Sequence, residues 1–169
     1  LFGGTGLRPV SSSAYPPPMT HTATPINATH CKPLFTPTTI AGLNHANRIV
    51  MAPMTRRLAP DNRVPTETIA RYYARRARLG VGFILTEGTH IEPIHAPDSE
   101  NVPGIWNDEQ VEGWRQVTNA VHNAGAEGGG GGLIGCQLWH TGRLAMNPIG
   151  PSAIPALDRE GNPRTTPRE

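Results

Sequence analysis

The sequence is short of cysteine, aromatic residues and net charge. Its two cysteines, Cys31 and Cys136, cannot build the disulfide framework that holds small secreted domains together. Cys136 falls within an apolar, strand-like run, where a buried thiol in a reduced, cytoplasmic setting is the expected state. Aromatic residues make up 5% of the chain, and the formal net charge is +2. A balance that mild excludes the electrostatic footprint of a nucleic-acid-binding protein. No apolar run approaches the roughly 18 residues of a membrane-spanning helix, so no membrane partner is expected. Residues 1–32 contain no Asp or Glu and are rich in Ser, Thr and Pro, including Pro16, Pro17 and Pro18. Such a stretch buries too little apolar surface to offset chain entropy, and it reads as a disordered leader. An organelle-targeting remnant is the alternative for this leader. His90, His95, His122 and His140 show no compact ligand spacing, so no metal is expected.

The chain has 169 residues, enough for one domain with a core. Thr38–Ile40 and the run from Arg48 are short β-prone pieces separated by Gly42 and Asn44, which suggests a small hairpin. Ile49–Met54 is apolar throughout, as strands covered on both faces are. Pro53 cannot donate to a ladder, so this strand ends there. The first helix is expected over Pro65–Gly80, with Ile69, Tyr72, Tyr73, Arg76 and Ala77 on its buried stripe. Arg71, Arg75 and Arg78 fall on its solvated face. Val81–Thr86 forms the second strand and ends at Glu87-Gly88. A loop of about eighteen residues follows; loops of that length in compact domains are functional or mobile. Asn107 caps the second helix, Gln110 completes a capping box, and Trp106 is placed to staple onto Val111. Val111, Trp114, Val117, Thr118 and Val121 then face the core, and Gly125 ends the helix. The glycine tract Ala126–Gly132 reads as flexible linker. Leu133–Trp139 is the third strand.

Strand, helix, strand, helix, strand with helix-length crossovers implies right-handed βαβ units and a parallel sheet. Either an open doubly wound sheet or a (β/α)8 barrel satisfies that order. No GxGxxG turn follows the first strand, which argues against a dinucleotide-binding open sheet. Polar residues instead mark three successive strand ends: Thr55, then Glu87 and Gly88, then Gln137. Barrel enzymes build their sites at those ends. The Gln137 amide is costly inside a strand unless its hydrogen bonds are made. It sits either at a solvated strand end or facing a polar ligand that offers N–H beside C=O, such as the pyrimidine edge of a flavin.

The segments PLFTP, NRIVMAPMTR, YYARRA, LTEGT, VPGIWNDEQVEGW, AVHNAG, QLWHTGR and GPSAI, spread over Pro33–Ile154, resemble the old yellow enzyme family of FMN-dependent NAD(P)H:flavin oxidoreductases and ene-reductases. They follow one another in family order and at approximately family spacing. The resemblance implies an α/β fold: a partial TIM barrel of about the first three βα units, with an N-terminal hairpin. It divides the chain into the leader 1–32, the N-terminal portion of an FMN-binding barrel over 33–157, and a truncated loop over 158–169. It assigns Pro53, Met54 and Thr55 to packing and bonding on the isoalloxazine, and Gly88 to a close backbone approach to the ring. Gln137 is assigned to the pyrimidine edge and Trp139 to the substrate face. His140 is expected to shape its loop.

In the family, hydride passes from NAD(P)H through FMN to a small-molecule activated alkene: an enal, enone or nitroalkene. The family's substrate-binding His pair, or His and Asn, follows the fourth strand, with a proton-donating Tyr nearby. Its phosphate grip lies on the seventh and eighth strands. By the resemblance those catalytic groups are expected beyond the C-terminus, and the oligomeric state stays open. The alternative is a catalytically incomplete fragment or a non-enzymatic interaction module. The polypeptide on its own, with two unpaired strand edges, is expected to be unstable or to associate.

Overall fold

The structure, a computed structural model, describes residues 28–127 and 132–168. Most of the expected leader and residues 128–131 of the glycine tract lie outside the described residues. The chain divides into two units, Leu1–Cys31 and Lys32–Glu169. In the first, the described element is a short helix, α1 (Ala28–Cys31).

The second unit opens on a 3-10 helix (Lys32–Phe35), followed by an antiparallel hairpin of β1 (Thr38–Ile40) and β2 (Leu43–His45). Its two turn residues, Ala41 and Gly42, have φ of 50° and 79°. Two consecutive positive φ values are what a type I′ turn requires, and its twist matches that of the strands. This tight turn puts the second strand at Leu43–His45, earlier than the run from Arg48 suggested. His45 is buried and meets Phe83 edge-on, with ring centroids 5.6 Å apart.

Three parallel strands follow in the order β3 (Val50–Met51), β4 (Phe83–His90) and β5 (Ile134–Trp139). Helices α2 (Glu67–Arg78) and α3 (Asp108–Glu127) make the crossovers. This is the βαβαβ order that the alternating pattern implied. Both helices pack on one face of the sheet. Ile69, Tyr73, Ala74 and Ala77 of α2 and Trp114, Val117, Val121 and Ala124 of α3 close over Ile84, with Met51 and Ile134 at the margin. Aligned residues on neighbouring parallel strands share a face. Phe83, Leu85 and Gly135 therefore lie on the other face, the concave side in a barrel. A Cβ on Gly135 would come within 2.8 Å of the Phe83 ring.

The helix ends follow the sequence closely at two places. Gly80, at φ 84°, closes α2: its N–H donates to the Ala77 carbonyl at 2.9 Å, and the Val81 N–H to the Arg76 carbonyl at 3.2 Å. That pair of bonds is a Schellman motif, and it needs a left-handed residue that glycine adopts without Cβ strain. At the start of α3, Asn107 Oδ1 accepts the Gln110 N–H at 2.9 Å. Gln110 is fully buried; its Oε1 accepts the Trp106 N–H and its Nε2 donates to the Asn62 carbonyl.

Elsewhere the structure corrects the expectation. The first strand is short, and Val50 is 55% exposed. It is an edge strand, paired on one side among the described residues, and Val50 aligns with Phe83 on the face away from α2 and α3. Cys136 is exposed and not buried, because β5 forms the other edge. Val111 is 41% exposed and does not face the core, and Trp106 lies over Gly104, where a Cβ would fall inside its ring. Helix α3 runs past Gly125 to Glu127. The second strand does not stop at Thr86 but continues to His90.

Candidate functional site

Strand β4 outlasts its expected end because it carries a bulge. Leu85 pairs with Gly135 and Gly88 with Gln137, so Thr86 and Glu87 stand opposite the single residue Cys136. A bulge leaves backbone groups to be satisfied locally. Thr86 does this: its Oγ1 accepts the Gln137 N–H at 3.0 Å and donates to the Glu87 carbonyl at 2.9 Å. The hydroxyl thereby fixes the backbone at Gln137. Past the bulge, Gly88 and His90 share a face with Gln137 and Trp139, by the pairs Gly88–Gln137 and His90–Trp139.

Glu87 is the charged residue of the bulge and is 1% exposed. A buried carboxylate needs hydrogen bonds. Its Oε2 accepts the Arg56 N–H at 2.8 Å and the Arg57 N–H at 3.4 Å, while its own N–H donates to Tyr73 Oη at 2.8 Å. Burial raises the Glu87 carboxyl above the usual carboxylate range, against the lowering effect of the Arg56 and Arg57 N–H groups. Tyr73 is likewise pushed well above its ordinary value, chiefly by burial. Glu87 thus ties the segment after β3 to β4. The β3–β4 register pairs Val50 with Phe83 and Met51 with Ile84. That ladder ends at Met51, four residues before Thr55, and β4 gains its extra residue at the bulge, so the register fixes Gly88 level with Gln137 and does not fix the level of Thr55.

Each expected site residue can now be placed. Pro53 is half-buried, and Met54 and Thr55 are exposed. Gln137 and Trp139 are half-buried on the concave side. Gly88 is buried, and a Cβ there would fall inside the Trp139 indole. The missing side chain at Gly88 therefore makes room for Trp139. Among the described residues no protein group hydrogen-bonds the Gln137 carboxamide or the Thr55 hydroxyl. An uncommitted donor–acceptor pair on β5 suits the N–H/C=O edge of a flavin ring, and the uncommitted Thr55 hydroxyl lies on the segment that Glu87 ties to β4. In this donor set the residues present fit that group.

The loops at this end of the sheet interlock. Arg63, at φ 60°, donates from Nη1 to the Ser99 and Val102 carbonyls at 3.1 and 3.3 Å. Asn101 and Ala59 exchange bonds, Nδ2 to carbonyl at 2.8 Å and N–H to carbonyl at 3.1 Å. Glu92 accepts the N–H groups of Ile94, His95 and Ala96. Burial opposes ionisation of Glu92, but those three donors outweigh it and lower its carboxyl below the usual range. The long loop after β4 is also stitched to the loop after β5: Thr141 Oγ1 donates to the Ala96 carbonyl at 2.8 Å and the Met146 N–H to Pro97 at 2.7 Å. His140 Nδ1 accepts the Gly142 N–H at 3.0 Å, the loop-shaping role its position suggested. Among the described residues no group of three His, Cys, Asp or Glu side chains is arranged to hold a metal. None of the described helices is long and apolar enough to cross a membrane.

Sequence reasoning set Glu87 at this end of the sheet without giving it a role, and passed over Thr86, His90 and Arg63. Glu87 carried a readable signal, a carboxylate inside an otherwise apolar strand, which must be paired. The other three depend on the bulge and on loop paths that no local pattern encodes.

Comparison with known proteins agrees with this geometry. The family model described as "NADH:flavin oxidoreductase / NADH oxidase family" matches residues 33–162. The chain is 42% identical over 135 residues to the flavin oxidoreductase hxnT of Emericella nidulans, covering 73% of this chain and 33% of that protein. It is 39% identical to 12-oxophytodienoate reductase 7 of Oryza sativa subsp. japonica, over 75% of this chain and 31% of the relative. Among solved structures, the old yellow enzyme homologue from Zymomonas mobilis superposes with a TM-score of 0.66 at 41% identity, covering 80% of this chain and 39% of its own. Morphinone reductase in complex with tetrahydroNAD gives 0.67 at 37% identity, over 80% and 40%. The chain thus spans about a third of the length of these curated relatives. With the matched span, the parallel strands and the pairing of Gly88 with Gln137 in view, the chain belongs to the NADH:flavin oxidoreductase / NADH oxidase family, the family of old yellow enzyme.

Proposed function

We propose that this chain supplies the ring-contacting part of an FMN site in an oxidoreductase of ene-reductase type. The whole protein would pass hydride from NAD(P)H to an activated alkene such as an enal, enone or nitroalkene. Bound FMN would supply the hydride-transfer chemistry, and the protein would bind, orient and polarise. The Gln137 carboxamide reads the N–H/C=O edge of the ring, and the Thr55 hydroxyl bonds its O4/N5 side. Pro53 and Met54 pack against it. Gly88 leaves room for the Trp139 indole, and Trp139 lines the substrate face. Glu87 holds Arg56 and Arg57, and with them the segment that carries Thr55, against β4.

The observation that carries this reading is the half-buried Gln137 carboxamide, left without a protein partner opposite Gly88. Donors that would polarise a substrate carbonyl are not among the residues that β3–β5 bring together. Activity is therefore assigned to the whole protein that carries this chain. A second reading, an incomplete fragment or an interaction module, is favoured by β3 and β5 each having one neighbour among the described residues.

Titration of FMN with the protein carrying this chain separates the two. Saturable quenching of flavin fluorescence, weakened about tenfold or more in Gln137→Ala and Thr55→Ala, supports the first. Colourless wild-type protein that leaves flavin fluorescence unchanged overturns it in favour of the second.

A further inference from the structure

One buried side chain at this end of the sheet lies outside the flavin-facing set. His90 ends β4 at 0% exposure. It sits opposite Trp139 in the sheet register, and its ring stacks on the indole, with centroids 5.5 Å apart and planes at 28°. Its two nitrogens face opposite partners. Arg63 Nη1 lies 3.4 Å from Nδ1, and Asp98 Oδ1 lies 3.6 Å from Nε2. The Nε2 is buried with no hydrogen-bond partner.

These contacts fix the chemistry of the ring. A guanidinium can only donate, so Nδ1 must present its lone pair to Arg63. The imidazole is then neutral, with its proton on Nε2 and directed at the Asp98 carboxylate. Burial and the Arg63 charge both hold the imidazolium form down, against the opposing pull of Asp98. The backbone is clamped as well: the His90 N–H donates to the Pro103 carbonyl at 2.9 Å and its carbonyl accepts the Ile105 N–H at 3.0 Å. Arg63 bonds two further carbonyls of the loop between His90 and Pro103. The ring is thus held at its Nδ1 edge and at its backbone, with the Asp98 charge facing Nε2, and one of its faces supports the indole that fills the space over Gly88.

We infer that His90 is a positioning residue for Trp139: held between Arg63 and Asp98 as the neutral Nε2–H tautomer, it sets the angle at which the indole presents to the substrate. This rests on the proposed function only in placing Trp139 at the substrate face. His90 itself touches neither substrate nor flavin in this assignment.

The test uses the whole protein carrying this chain, with His90→Ala and His90→Phe. His90→Phe retains a flat stacking partner and most of the volume, so it keeps the test decisive if the alanine variant folds poorly. Long-range ¹H–¹⁵N spectra of histidine-labelled protein, assigned by loss of the signal in His90→Phe, are expected to show the Nε2–H tautomer. Near-UV circular dichroism should change in His90→Ala and stay close to wild type in His90→Phe. With cyclohexenone and NADPH, His90→Ala should raise KM for the enone about three- to tenfold, the size of one lost aromatic stack, at unchanged flavin content. His90→Phe should restore it. An Nδ1–H or doubly protonated ring, or unchanged near-UV dichroism in His90→Ala, overturns the inference. Wild-type protein that holds no flavin overturns the proposed function instead, while the tautomer and the dichroism still decide the role of His90.

Discussion

Replacing Glu87 separates its hydrogen-bonding role from its charge. The Glu87 carboxylate is buried and holds two backbone donors, Arg56 N–H at 2.8 Å and the longer Arg57 N–H at 3.4 Å. A hydrogen bond to a charged acceptor contributes about 1.5–3 kcal/mol, and a donor left buried and unpaired costs a similar amount. Glu87→Ala removes the acceptor and leaves a gap beside α2, so a loss of about 2–4 kcal/mol is expected. Glu87→Gln keeps an oxygen for Arg56 while dropping a charge whose burial is unfavourable, and should stay within about 1 kcal/mol of wild type at neutral pH. The pH dependence gives the sharper discrimination. Burial raises the folded-state Glu87 carboxyl above its ordinary value of 4.5. Above the unfolded value and below the folded one, the native state holds a proton that the unfolded state has released. The stabilisation is thus complete below about pH 4.5 and is lost as pH rises through the raised folded value. Urea unfolding of wild type and Glu87→Gln in parallel, followed by tryptophan fluorescence, should show wild-type stability falling relative to the variant as pH climbs from about 4.5. A difference that is flat or of opposite sign, or Glu87→Ala as stable as wild type, refutes the reasoning.

Three further outcomes are expected. Asn107→Ala should destabilise the protein by about 1 kcal/mol, read from the urea midpoint, because the Gln110 N–H loses its acceptor. Gly88→Ala should cost about 1–3 kcal/mol as an overpacking change and alter near-UV dichroism, since the added Cβ displaces the Trp139 indole. The isolated 169-residue chain should associate or aggregate on size-exclusion chromatography, because β3 and β5 are edges and Leu138 is 64% exposed; a monomer with cooperative thermal unfolding would contradict this.

Much of the architecture was readable residue by residue. Asn107 and Gln110 announced the start of α3, and Gly80 the end of α2, because caps are set by local hydrogen bonding and by φ. The apolar periodicity gave the order of strands and helices, and that order gave the parallel sheet. Of the proposed site, the pairing level of Gly88 and Gln137 follows from their places on β4 and β5, whereas Thr55 lies beyond the end of β3. What failed was burial at the edges: an apolar run such as Ile49–Met54 carries no sign of whether a neighbour covers it, so Val50 and Cys136 were misplaced. The end of β4 failed for a related reason, since a bulge is a matter of register between two strands, and one strand's sequence does not contain it.

The sequence by itself determined which residue types stand at the ends of the strands and in what order the elements come, since both follow from short-range sterics and periodicity. Tertiary structure alone decided that Thr86 would secure Gln137, that Glu87 would hold Arg56, and that His90 would lie between Arg63 and Asp98 beneath Trp139. Apart from His90 and Asp98, eight positions apart, those contacts join residues 27 to 51 positions apart, and only the folded path of the chain brings such partners within reach.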